Sequence, residues 1–122
     1  MTKRKQALQD LRDKVAEGER FIDSEIVGVF GVFGPPEDGE PWDARSAYNG
    51  SLDAAKALHE AVLPGWSILL HGGHWGVQDY AFEINRAFKG GGRAKHVGRS
   101  EDPARAWLIA ILKALIAQEP EA

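Results

Sequence analysis

Residues 100–118 read SEDPARAWLIAILKALIAQ. Ser100 is placed to cap a helix. Glu101, Asp102 and Pro103 follow in its first turn, where carboxylates meet the positive end of the helix dipole and a proline has no N–H to lose. Ala104, Trp107, Leu108, Ile111, Leu112, Leu115 and Ile116 then recur at intervals that build one wide apolar stripe. Fully burying four of the large side chains is worth on the order of 6–12 kcal/mol before entropy. The stretch predicts a helix over 101–118 that organises the core.

Immediately upstream the apolar period changes from that of a helix to that of a strand. Trp66, Ile68 and Leu70 alternate with small or polar residues, and so do Tyr80, Phe82 and Ile84. Lys89-Gly90-Gly91-Gly92-Arg93 is a turn, and residues 95–99 form a third strand. An antiparallel β-meander over 66–99 follows, with strands near 66–71, 75–88 and 93–99.

Before it, Ser51 is a good N-cap for a helix over 51–62. Leu52, Ala55, Leu58 and Val62 make its apolar face, and Pro64-Gly65 ends it. Three prolines and two glycines between Gly34 and Pro41 predict a loop over 34–47. Leu8, Leu11 and Val15 place a helix over 2–17, stopped by Gly18. Residues 19–33 carry two signals. Val27, Val29, Phe30, Val32 and Phe33 favour a strand by propensity. Ile22, Ile26, Val29 and Phe33 lie on one helical stripe, and the reading leans to helix for the first half.

The chain has 122 residues, 43% of them hydrophobic and 27% charged, with a net charge of -3 and no cysteine. That is one globular domain over 1–122, of α+β class: a three-stranded antiparallel meander packed between or against three to four helices. The charge excludes a strongly cationic nucleic-acid coat. The absence of cysteine excludes disulfides, thiolate metal sites and a thiol nucleophile. The longest apolar run, Ala106 to Leu112, is too short to span a bilayer. Residues 6–14 are polar where a signal peptide needs an apolar stretch, so the expectation is a cytoplasmic protein without membrane contact.

Several stretches together resemble the phage ABA sandwich domain, a family of small proteins encoded by bacteriophages and prophages. They are Tyr48-Asn49-Gly50-Ser51-Leu52-Asp53-Ala54-Ala55, Leu63-Pro64-Gly65-Trp66, Pro103-Ala104-Arg105-Ala106-Trp107-Leu108 and Lys113-Ala114-Leu115. Leu11-Arg12-Asp13 and Ile22-Asp23-Ser24-Glu25-Ile26 extend the likeness, which covers most of residues 8–118. The resemblance implies a small antiparallel sheet packed between helices and a phage or prophage origin. It brings no catalytic residues, because the family has no established activity. The glycine-rich residues 71–76 and 89–93 depart from its pattern.

Three groups of residues bear on function. His71 and His74 flank Gly72-Gly73 at a turn, and a metal site would need a third ligand from Asp79, Glu83 or His96. The simpler reading is a glycine hairpin with exposed imidazoles. Arg86, Lys89, Arg93, Lys95 and Arg99 lie in a stretch with no acidic residue between Glu83 and Glu101. The simpler reading is a solvated edge strand guarded against aggregation, and the alternative is a hairpin that meets phosphates. It has no phosphate-binding-loop pattern. From Glu17 to Asp43 the balance reverses, with eight acidic residues against Arg20 alone. Trp42 in that segment is either an interface anchor or a lid over the core. No G-x-S-x-G elbow is present, and no cofactor is implied.

The reading is therefore a non-enzymatic, phage-derived interaction protein that binds or inhibits a host macromolecular complex, with a host or phage protein as partner. A nucleic-acid-binding module using the basic hairpin and a metal-dependent enzyme centred on His71 and His74 are the alternatives. A homodimer is a further expectation, because a three-stranded sheet leaves two edges.

Overall fold

The terminal apolar stripe forms the longest helix among the described residues and the centre of the core. In the computed structural model, which describes residues 3–34, 39–72, 79–87 and 91–119, the chain runs as two helices, two further helices, three strands and a last helix. They are α1 (Lys3–Glu17), α2 (Asp23–Phe30), α3 (Glu40–Tyr48), α4 (Leu52–Val62), β1 (Ser67–Gly72), β2 (Tyr80–Ala87), β3 (Arg93–Ser100) and α5 (Pro103–Gln118). The architecture is α+β, with a three-stranded antiparallel sheet in the order β1-β2-β3. The predicted start of the second strand at Trp75 and its end at Phe88 lie outside the described residues.

Every member of the predicted stripe on α5 is buried, and Ala106, Ile109, Ala110 and Ala114 are buried with them. The helix is enclosed on most sides because α1, α3 and α4 pack on one flank of it and β2 and β3 on another. The cap differs from the expectation. β3 continues to Ser100, which pairs with Tyr80, so the turn into the helix comes later. Asp102 is the N-cap, its carboxylate accepting from the Arg105 N–H at 3.1 Å, and the Ser100 hydroxyl accepts from the Asp102 N–H at 3.2 Å.

The approach of α5 to β3 is close. A Cβ on Gly98 would lie 2.1 Å from the Ala106 carbonyl oxygen and 2.5 Å from the Ala110 nitrogen. Only a residue without a side chain lets the helix backbone rest on the strand there, and the small Ala106 and Ala110 complete the fit.

Leu8, Leu11 and Val15 seat α1 on the core as predicted, and Gly18 lies just past its end. α2 stays helical through Gly28 to Phe30, so tertiary burial of Ile26 and Val29 overrides both strand propensity and the glycine cost. The predicted loop over 34–47 is corrected by α3. Pro41 sits at the second helical position, where its missing N–H costs nothing, and Glu40 and Asp43 occupy the favourable first turn. Pro41, Ala44 and Tyr48 are its buried stripe.

Gly50, at φ +105°, reverses the chain so that α3 ends and α4 begins within three residues. Ser51 caps α4 as predicted, its hydroxyl accepting from the Ala54 N–H at 3.1 Å. The predicted face of α4 is turned: Leu52 is exposed, and the buried residues are Ala55, Leu58 and His59. Two of the stretches that carry the family resemblance touch. Arg105 donates to the Tyr48 carbonyl at 3.1 and 3.3 Å and lies 4.2 Å from the centre of its ring, while the Tyr48 hydroxyl donates to the Glu19 carbonyl.

Phe82 and Ile84 point from β2 toward the helices, and Phe82 stacks on Trp107 at 4.7 Å. The helices thus lie against one face of the sheet. The opposite face, around Glu83, Lys95 and Arg99, holds a depression lined by strand residues and Asp79. Replacing Gly98 by alanine forces apart two backbones rather than two side chains. Gly98→Ala is expected to lower stability by about 3 kcal/mol or more, measured by urea unfolding, whereas Arg93→Ala on the exposed end of β3 leaves the midpoint nearly unchanged.

Candidate functional site

The basic stretch does not form one patch. Side chains alternate across a strand, and the pairing of Arg86 with Ala94 and of Glu83 with Val97 sorts them. Arg86 lies on the helix-facing side of the sheet, toward its end. Arg93, Lys95 and Arg99 lie on the open side. Lys89 is outside the described residues. Lys95 and Arg99 already have carboxylate partners, Glu83 at 2.7 Å and Asp79 at 3.7 Å. Both pairs are diagonal across β2 and β3, the arrangement in which long side chains of opposite charge meet. The Lys95 ammonium, and after it a hydrogen bond from Asn85, holds the Glu83 carboxyl below the usual range.

His71 faces Ala81 on the same open side. His74 is outside the described residues. Among the described residues no three histidine or carboxylate side chains come together in a group that could hold a metal ion. His96, the third histidine proposed as a ligand, lies on the other face, with its ring 6.0 Å from that of Trp66. Burial, and then the nearby Lys113 ammonium, depress its pKa.

Trp42 is half-buried and tied inward. Its indole N–H donates to the Gly34 carbonyl at 2.8 Å, its ring meets Phe33 edge-on at 4.9 Å, and Arg45 covers both rings. It fastens α3 to the residues that follow α2.

The least expected surface is β1. Trp66 is buried as the alternation predicts, but Ile68 and Leu70 are not: they are 45% and 47% exposed, and Leu69 between them is 49% exposed. The helix layer lies over β3 and β2 and leaves β1 at its margin. Phe21 and Val32 are also exposed, but as single residues in loops, which is ordinary. Ile68, Leu69 and Leu70 are three in a row on a strand that, among the described residues, has a paired strand on one side only.

The two sheet edges are treated differently. On β3, Lys113 reaches from α5 and donates to the Val97 carbonyl at 2.8 Å, and charged side chains alternate along the strand. On β1 no residue carries a formal charge with histidine neutral. A long uncharged apolar edge is the kind that other strands pair with.

The start of β1 is fixed from below by a residue that the sequence reading passed over. His59 is buried, accepting from the Trp107 indole N–H at Nδ1 (3.1 Å), with Nε2 3.0 Å from the Trp66 carbonyl. An indole N–H only donates, so Nδ1 is the acceptor and the proton is on Nε2, which donates to Trp66. One imidazole therefore ties α4, α5 and the strand entry together. Its place on the stripe of Ala55, His59 and Val62 was the available signal.

Comparison with protein-family models, with curated proteins and with solved structures finds no match.

Two outcomes follow from this geometry. His59→Phe strands the Trp107 N–H and the Trp66 carbonyl and is expected to cost about 1–3 kcal/mol. In a double-mutant cycle with Trp107→Phe, followed by chemical denaturation, the double variant is expected to lose less than the sum of the two single losses. For His96 the folded-state pKa is below the unfolded one, so the unfolded chain binds more protons in that window. Stability is then complete above the ordinary histidine pKa and falls as pH drops through about 6.5. Urea midpoints measured across that range are expected to decline with acid, and less so in His96→Gln.

Proposed function

We propose that this chain is a small interaction protein that works by presenting β1 to another polypeptide, and that it carries out no chemistry of its own. The observation that carries the reading is the run Ile68-Leu69-Leu70, about half exposed, on a strand with a free edge. An incoming strand gains backbone hydrogen bonds from such an edge and side-chain contacts from its apolar residues. On the resemblance to the phage ABA sandwich domain, the protein is of phage or prophage origin. Its partner is then a host or phage protein, and the contact serves to join or block a macromolecular complex.

The nucleic-acid reading draws less support. Phosphate binding by Lys95 and Arg99 would have to displace Glu83 and Asp79, and Arg86 lies on the other side of the sheet. The metal-enzyme reading rests on His71 and the undescribed His74, with His96 turned to the helix side.

Capture from a bacterial host lysate tests the proposal. Partners held by the native protein are expected to be lost with Leu69→Lys combined with Leu70→Lys, and kept with Lys95→Glu combined with Arg99→Glu. A partner set indifferent to the β1 pair and abolished by the β3 pair would overturn it in favour of the basic surface.

A further inference from the structure

We infer that the occupant of the β1 edge is a second copy of this chain, paired antiparallel about a two-fold axis at Leu70 to give one continuous six-stranded sheet. The inference rests on the reading of β1 as a contact edge and names what fills it.

The sheet register fixes which backbone groups of β1 are free. Along a strand, alternate residues turn their N–H and C=O groups to the same side. The Val97 carbonyl points out of the sheet, because Lys113 of α5 takes it. Val97 is therefore not hydrogen-bonded to its β2 partner Glu83. Glu83 must turn its groups the other way, toward Leu69 of β1. Leu69 then bonds inward, and its neighbours Ile68 and Leu70, together with Gly72, turn theirs outward. The start of the strand agrees: the Trp66 carbonyl has the same parity and is occupied by His59. The free edge thus begins at Ile68: Ile68 and Leu70 each offer a donor and an acceptor, and Gly72, which ends the strand at φ +133°, adds its N–H.

A second copy matches that set. With Leu70 opposite Leu70 of the other copy, Ile68 falls opposite Gly72 on both sides of the axis. The Leu70 pair exchanges two hydrogen bonds and each Gly72 N–H donates to the Ile68 carbonyl of the other copy, four in all. In this register even-numbered residues oppose even-numbered ones, so both helix layers lie on the same face. Ile68 and Leu70 of the two copies then form one apolar strip on that face. The strip extends the rows of Ile84 and Phe82, which β1 already faces. On the open face Leu69 meets His71 of the other copy.

Charge favours self-pairing as well. The strand Ser67-Ile68-Leu69-Leu70-His71-Gly72 bears no formal charge with histidine neutral, so nothing like-charged is opposed when it meets itself. β3 could not do the same. Lys113 occupies one of its outward carbonyls, and two copies of Arg93, Lys95 and Arg99 would face each other.

The test is a charge swap on the axis. Leu70 is half-exposed, so Leu70→Lys and Leu70→Glu should both fold, which circular dichroism and thermal melting check. Sedimentation of the native protein is expected to give twice the 13.3 kDa chain mass. Each variant alone is expected to give the single-chain mass, because equal charges meet at the two-fold. An equimolar mixture of the two is expected to return to the doubled mass. A native protein that is monomeric at all accessible concentrations overturns the inference, as does a Leu70→Lys variant that still dimerises. In the monomeric case, binding of another protein that Leu69→Lys with Leu70→Lys abolishes would leave the broader reading of β1 standing. Loss of both would remove the two together.

Discussion

The contact on which the rest depends is that of two backbones, α5 resting on β3 at Gly98. Helices normally stand off a sheet by the length of their side chains. Here the Ala106 carbonyl and the Ala110 nitrogen occupy the space of an absent Cβ. With α5 set that low, Trp107 reaches Phe82 in a stack and His59 through its indole N–H. Arg105, one residue earlier than Ala106, is brought over Tyr48 at the end of α3. One close approach therefore sets the positions of both middle helices.

The same placement determines what is left uncovered. A single central helix is broad enough to cover two strands, and α5 lies over β3 and β2. β1 is held through its pairing with β2 and through His59 at its entry, and its apolar side chains lie beyond the helical layer. The open face is provided for differently, with diagonal ion pairs from Glu83 to Lys95 and from Asp79 to Arg99. Exposed pairs of this kind add little to stability. Their consequence is that two of the positive charges of this hairpin, those of Lys95 and Arg99, are answered by neighbouring carboxylates.

Much of the fold was legible from local patterns. α1, α4 and α5 showed their stripes and the cap of α4, and the change of period at Trp66 announced the meander. Where the reading failed, a residue had two meanings. Pro41 was read as a helix breaker and is a helix starter, because its second-position placement removes the penalty. Leu52, read as part of the apolar face of α4, is exposed, and His59, which had no expected role, is in the core, since a buried imidazole with both nitrogens satisfied is as good a core residue as a leucine. The basic stretch looked like one patch because sequence proximity hides the alternation that sends Arg86 to one face and Lys95 to the other.

What the sequence by itself determined was the type and order of most elements. Periodicity and capping are properties of neighbouring residues and need no knowledge of the partner they pack against. It also determined the central role of residues 103–118, because no other stretch carries so much apolar surface. The tertiary structure alone decided which of those apolar residues end up covered. Ile68 and Leu70 have the same strand pattern as Phe82 and Ile84, yet they differ in burial. Exposure depends on the distance of a strand from the helix axis, and that distance is set by contacts between residues remote in the chain.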